Sequence, residues 1–111
     1  KLGMSQADAN KMELRGTNEG SKLAGNAALW KDGNLENDSE FGSSGFTALP
    51  GGCRYIINVV FSSVGTIGYW WTSTQNGDAA MSRIIYSKYS EVKRNNDDKR
   101  HGFSVRCLRD N

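Results

Sequence analysis

The groups in this chain that could act as acid, base, nucleophile or metal ligand are one histidine, two cysteines and twelve acidic residues. His101 stands in the charged run KRHG, no two carboxylates fall in a recognisable catalytic frame, and there is no nucleophile elbow. No acid, base or nucleophile can therefore be assigned, and the chain reads as noncatalytic. Cys53 and Cys107 each lack a second cysteine or a histidine at ligand spacing, which argues against zinc. The runs NDSE (37–40) and NNDDK (95–99) carry enough acid and amide groups to meet a hard cation, yet neither matches an EF-hand loop. No metal and no cofactor is expected.

Recognition chemistry is better represented. Residues 68–74, GYWWTST, set three large rings side by side. Strand alternation sends Tyr69 and Trp71 to one face and Trp70 to the other, so at least one ring faces the core. A ring left outward would offer apolar area with a polar tip, a platform for a sugar or a partner side chain. Directly after it come Gln75, Asn76 and Asp78, then Arg83, Tyr86, Lys88, Tyr89 and Glu91, then Lys93, Arg94, Asn95 and Asn96. Rigid rings among small adaptable hydrogen-bonding groups resemble a paratope in composition. The candidate ligand contacts are Tyr69, Trp71, Gln75, Asn76, Asp78, Arg83, Tyr86, Lys88, Tyr89, Lys93, Asn95 and Asn96. The competing reading of each is a solvated sheet edge or polar loop.

The elements that must position these groups are mostly strands. Tyr55 to Phe61, YIINVVF, reads as a buried strand, and Tyr69 to Thr74 as a second. Asn76-Gly77 then supplies a tight turn, and Met81 to Tyr86, continuing to Val92, a third strand. The polar run KRNNDDKRHG separates it from a last segment, Phe103 to Leu108, whose alternation through Phe103, Val105 and Cys107 is that of a half-buried antiparallel strand. In the first half, residues 5–14 predict a short helix capped by Ser5 with Asp8 in its first turn. Residues 15–54 read as turns and loops anchored by Leu23, Leu29 and Trp30. Within them SGFTALPGG turns on Pro50, Gly51 and Gly52, with Phe46 and Leu49 pinning it to the core. The pattern is α+β, a small antiparallel sheet with loop-rich flanks and one or two short helices.

At 111 residues the chain fits one domain, residues 1–111, with one core. Its net charge of +2, with acids and bases interspersed, gives no reason to expect nucleic acid or an anionic membrane as partner. No apolar run approaches the roughly 18 to 20 residues that span a bilayer, so no direct membrane insertion is expected. The two cysteines read either as buried thiols or, in an exported protein, as a disulfide.

Four stretches in fixed order, LRGTNEGSKLAG, SGFTALPGGCR, FSSVGTIGYWWTST and KRHGFSVRCLRD, closely resemble the FISUMP family, the major paralogous domain of surface proteins in gut and rumen bacteria. The resemblance covers Leu14 to Asp110 and matches the C-terminal majority of such a domain. It implies a C-type lectin-like fold, similar to that of sulfatase-modifying enzymes and of variable receptor-binding proteins diversified by retroelements. The position of Cys53 is more usually aromatic in the family. The cysteine pair of the sulfatase-modifying enzymes is not matched in spacing, so no activity carries over, and the calcium motifs EPN and WND of true C-type lectins are missing.

The resemblance implies an extracellular or cell-surface location and a binding module, an adhesin or lectin-like domain recognising glycan or protein. The retroelement-diversified relatives place their variable, ligand-facing positions in the part of the fold that corresponds to residues 69–96. The alternative is a structural or assembly domain of a surface lipoprotein or fibre, which would show an apolar patch or unpaired strand edge instead.

Overall fold

A computed structural model describes residues 2–57 and 59–109. Its backbone is organised by one long hairpin. Strand β4 (Ile67–Asn76) pairs antiparallel with β5 (Ala79–Tyr86), and the aromatic and β-branched content of both suits a pleated, half-buried surface. Asn76 pairs with Ala79, so the turn residues are Gly77 and Asp78 rather than Asn76 and Gly77. Gly77 has φ of +60°, the left-handed value that a tight hairpin needs at its first central position and that glycine adopts without Cβ strain. Register shifts between Trp71 and Gln75, leaving three residues of β4 opposite Met81. Thr72 Oγ1 donates to the Met81 carbonyl at 2.8 Å and holds this bulge closed.

The next strand lies where the sequence predicts a polar separator. β6 (Val92–Asp98), VKRNNDD, pairs with β5 on one side and with β1 (Glu13–Arg15) on the other, giving the order β1-β6-β5-β4. Asn and Asp are poor strand formers by composition. Here the backbone is paired with β5 from Lys93 to Asp98 and with β1 at Val92, Lys93 and Arg94, and only Val92 enters the core. The strand expected to run on from Tyr86 to Val92 is broken by a turn in which Tyr89 N–H donates to the Tyr86 carbonyl.

The main core lies on one face of this sheet. Ile85 and Val92 pack with Ala24, Trp30, Leu35 and Ala48, and Trp70 leans onto the cluster. The first half of the chain supplies the opposing wall through short elements: α1 (Gln6–Ala9), α2 (Glu19–Leu23), a single 3-10 turn at Ala27–Leu29, and α3 (Asn34–Asn37). Leu35 N–H donates to the Ser87 carbonyl and Ser21 N–H to Ser90, tying this wall to the β5–β6 turn. Trp30 anchors as expected, its Nε1 shared between the carbonyls of Gly25 and Ala48. Leu29 does not, being exposed; Leu35 takes that role. Phe46 packs on the core while Leu49 is exposed. The helix expected over residues 5–14 is capped by Ser5 but stops at Ala9, because Glu13 takes a positive φ and residues 13–15 pair as β1.

Two further expectations are corrected. The segment YIINVVF is not a buried strand. β2 (Cys53–Arg54) and β3 (Phe61–Ser62) form a two-stranded ribbon joined by an outward loop in which Ile57 is 91% exposed. Strands of two residues present no face wide enough to cover these side chains. The segment Phe103–Leu108 is likewise not a half-buried strand: it makes one bridge, Ser104 to Trp70, and leaves Val105, Cys107 and Leu108 exposed. Both cysteines are free thiols, Cys53 buried and Cys107 exposed. The observed architecture is a set of mostly antiparallel strands with a few short helices, consistent with α+β.

Candidate functional site

The sheet face opposite the main core changes character along its length. At one end Tyr69 and Ile84 pack with Cys53, supported by Ile67, Tyr86 and Phe103. Gly52 brings the ribbon onto this end by bridging Gly68. It has φ of +67°, and a Cβ there would stand 2.1 Å from the Ser62 carbonyl oxygen, so only glycine fits. At the other end Trp71, Asn95 and Asp97, each partly exposed, share this face by register with Ser82, which is itself fully buried.

An aromatic row crosses the boundary between the two ends. Phe103 lies 4.8 Å from Tyr69 between ring centroids, stacked on it, and 4.3 Å from Trp71, the two planes tilted by 31°. His101 stacks on the far side of Phe103 at 5.6 Å, and Tyr55 meets His101 edge-on. The backbone holds the row in place: Ser104 N–H donates to the Tyr69 carbonyl at 3.0 Å and Trp71 N–H to the Ser104 carbonyl at 3.1 Å. Trp71 is the ring at the open end and is only partly buried.

Beside Trp71 lies a preset polar network. Ser82, its cross-strand partner, donates from Oγ to Asp97 Oδ2 at 2.6 Å, and Asn95 Nδ2 donates to Asp97 Oδ1 at 3.0 Å. Both carboxylate oxygens are thus oriented, and each retains acceptor capacity. The β4 bulge opens a shallow depression of about 400 Å³ next to it, lined by Trp71, Thr72, Ser73, Gln75, Ala80 and Lys99. Lys99 Nζ donates to Gln75 Oε1 at 2.7 Å on its floor. An apolar ring flanked by an oriented carboxylate, amides and an ammonium can stack on one face of a polar ring or side chain and hydrogen-bond its edge.

The candidate contacts named from the sequence divide between this face and other places. Tyr69, Trp71, Gln75, Tyr86, Lys93 and Asn95 are on it by register. Tyr69 is 7% exposed and serves the inner cluster; burial, then its contact with the Tyr55 hydroxyl, pushes its phenol well above the ordinary range. Burial also raises the Tyr86 phenol, against the ammonium of Lys93. The Lys93 ammonium is raised chiefly by its bond to Glu13, 3.0 Å away. Arg83 and Asn96 point to the opposite face, and Asn76, pairing with Ala79, does so as well. Asp78 sits in the hairpin turn, and Lys88 and Tyr89 in the β5–β6 turn, where Tyr89 meets Tyr86 edge-on. Sequence reasoning did not single out Ser82, Asp97, Lys99 or Phe103 as site residues. The alternation Asn95, Asp97 opposite Ser82 and Ala80 would have shown the network, once VKRNNDD had been taken as a strand.

Comparison with known proteins places the chain in a family. The model of the Fibrobacter succinogenes major domain matches residues 1–109, and the chain belongs to that family. No curated protein and no solved structure matched.

Proposed function

Proceeding from that membership, we propose that this chain is a noncatalytic ligand-binding module of a bacterial cell-surface or secreted protein, recognising glycan or protein in the manner of an adhesin or lectin. The observation that carries the reading is the partly exposed Trp71 ring set against the Ser82, Asn95 and Asp97 network on the open end of the sheet. Stacking against a sugar face supplies area, and the fixed carboxylate and amides supply orientation, with little ordering cost because the groups already hold one another. In support of the noncatalytic reading, His101 is packed between Phe103 and Tyr55 and Cys53 is buried, and the exposed thiol of Cys107 has no histidine or second cysteine at ligand spacing. We also favour a C-type lectin-like arrangement, with a likeness to retroelement-diversified receptor-binding proteins; the long β4–β5 hairpin beside a loop-rich first half supports it. None of the helices among the described residues is long and apolar enough to cross a membrane.

The β2–β3 ribbon favours a second reading, a structural or assembly domain of a surface lipoprotein or fibre. Ile57, Phe61 and Val64 on and beside it are more than two-thirds exposed, and exposed apolar side chains gathered on one short ribbon favour a protein partner. A glycan-array screen of the folded chain, run with calcium and with chelator beside Trp71→Ala and Asp97→Asn, separates the two. Binding that both substitutions abolish supports the module reading. Binding that survives both overturns the assignment to this face, and no binding by folded wild type transfers the weight to assembly.

A further inference from the structure

The face of the sheet turned away from Trp71 carries a charge imbalance that its own residues leave open. Register sets Arg83 directly across from Arg94, and Arg15 across from Val92, two residues along β6 from Arg94. Alternation therefore places all three guanidinium groups on the face of Ile85 and Val92, beyond the edge of the main core. They are close enough to act on one another. After burial, the largest factor lowering the Arg15 pKa is the charge of Arg83, followed by that of Arg94, and Arg94 likewise acts on Arg83.

Among the described residues none of the three makes an ion pair; the carboxylates of Asp8, Glu13, Glu40 and Asp98 are paired with Lys11, Lys93, Lys22 and Arg100. Glu19 is the one acid whose charge acts on Arg15, and its Oε2 accepts the Thr17 backbone N–H at 2.7 Å. Each arginine is instead fixed by a backbone carbonyl through Nη1: Arg15 on Val92, Arg83 on Ser82 and Arg94 on Asn10. This anchoring leaves the Nε of Arg15 and the Nε of Arg94 buried without a hydrogen-bond partner. Buried donors are rarely left so, least of all charged ones. Arg15 is itself only 8% exposed, and a cavity of about 200 Å³ opens against it, lined by Arg15, Arg83 and Glu19 and by the apolar Leu2, Met4, Leu23 and Val92, with Arg94 outside its lining.

We propose that this cluster is a second binding site, for a small oxyanion: a carboxylate, sulfate or phosphate group carried by an acidic ligand. The carbonyl bonds to Nη1 fix each guanidinium plane in advance. The Nε edges are the donors that a carboxylate or phosphate oxygen takes from arginine, and the excess of positive charge over Glu19 supplies the attraction. The site lies across the sheet from the aromatic row and does not depend on the function proposed for that row.

The test is a titration of the intact chain with sodium sulfate, phosphate and acetate at constant ionic strength, chloride making up the difference. Arginine Nε–H NMR signals and the thermal midpoint are followed together. The expected result is a saturable shift of the Arg15 and Arg94 Nε–H signals and a rise in midpoint that chloride does not give. Acetate alone would mark a carboxylate ligand, and sulfate or phosphate a tetrahedral one. Arg83→Gln should weaken binding at least tenfold and Arg94→Gln several-fold, while Trp71→Ala leaves it unchanged. Arg83 and Arg94 are used because Arg15→Gln removes a buried side chain and could simply unfold the chain. No saturable response from folded wild type, or the same response in both variants as in wild type, overturns the proposal.

Discussion

The contact between Trp71 and Phe103 is the test on which the geometry of the open face depends. Phe103 lies in the middle of the row, against Trp71 at 4.3 Å, Tyr69 at 4.8 Å and His101 at 5.6 Å. It also pins a terminal segment whose other attachments are few, chiefly the two backbone bonds of Ser104 and the Arg106 guanidinium over the Phe46 ring. Truncating a partly buried phenylalanine with three ring neighbours should cost about 3 kcal/mol, the low end for Phe→Ala in a core. In a chain of this size that is a fall in thermal midpoint on the order of 10 °C. The tilted ring pair itself is worth about 1 kcal/mol beyond the area buried. Phe103→Ala, Trp71→Ala and the double variant, unfolded in urea with the slope checked for constancy, should therefore give a coupling energy near about 1 kcal/mol. Phe103→Leu, which keeps most of the volume, should recover over half of the single-variant loss. A coupling energy under about 0.3 kcal/mol, the scatter expected of independent sites, would show that the two rings do not stack and that the platform as described does not form.

Other expectations follow from single residues. Nothing lies within 4 Å of a Cβ at Gly77, so Gly77→Ala should cost only the penalty of a left-handed residue with a Cβ, about 1 kcal/mol, and Gly77→Asn less because asparagine tolerates that region better; chemical unfolding of both variants gives the comparison. Gly52→Ala should be far worse, since strain at φ +67° adds to a 2.1 Å clash with a backbone oxygen, and soluble yield with circular dichroism would report it. The Asp98 carboxyl is held far below its ordinary 3.8 by the Arg100 side chain. A folded pKa lowered in this way contributes stability above the ordinary value that is lost as pH falls through the folded one. Asp98→Asn should accordingly flatten the acid limb of the stability profile below about pH 4, with wild type the more stable of the two at pH 7 and the two converging as the pH falls. Ile57→Lys, at a 91% exposed position, should shift stability by less than about 0.5 kcal/mol. It should also lower any self-association seen by analytical ultracentrifugation, if the ribbon is an assembly surface.

How much of this was legible in the residues depended on whether burial or pairing decided the element. The β4–β5 hairpin was readable because aromatic and β-branched runs flank a glycine turn, and alternation correctly divided Trp70 from Trp71. Trp30 was readable as an anchor because a large ring in a polar stretch has few other uses. YIINVVF misled, since apolar content was taken for burial, whereas a loop with two-residue strands had no partner surface to cover it. VKRNNDD misled in the opposite sense. Its strand is made by backbone pairing, with β5 from Lys93 onward and with β1 at its first three residues, and pairing leaves no mark on side-chain hydropathy. The site suffered for the same reason: Tyr86, Lys93 and Asn95 were picked for composition and do share the face of Trp71, but Asp97, which organises the network, was weighed only as part of the NNDDK run for a cation and not as a ligand contact.

That polar strand also explains why the two faces can be tested apart. β6 directs Lys93, Asn95 and Asp97 to the aromatic side and Val92, Arg94 and Asn96 to the other, so neighbouring residues serve surfaces on opposite sides of one sheet. A conventional half-buried strand would have spent one of those sets on the core. Here the core takes only Val92, and the positions beyond it are left to polar chemistry on both sides. Asn95→Ala and Arg94→Gln are adjacent in sequence yet should separate cleanly. The first should weaken ligand binding at the Trp71 face with the oxyanion response intact, and the second the reverse. A single substitution that removed both responses in a folded protein would mean that β6 works as one unit, and the assignment of two sites to its two faces would fall.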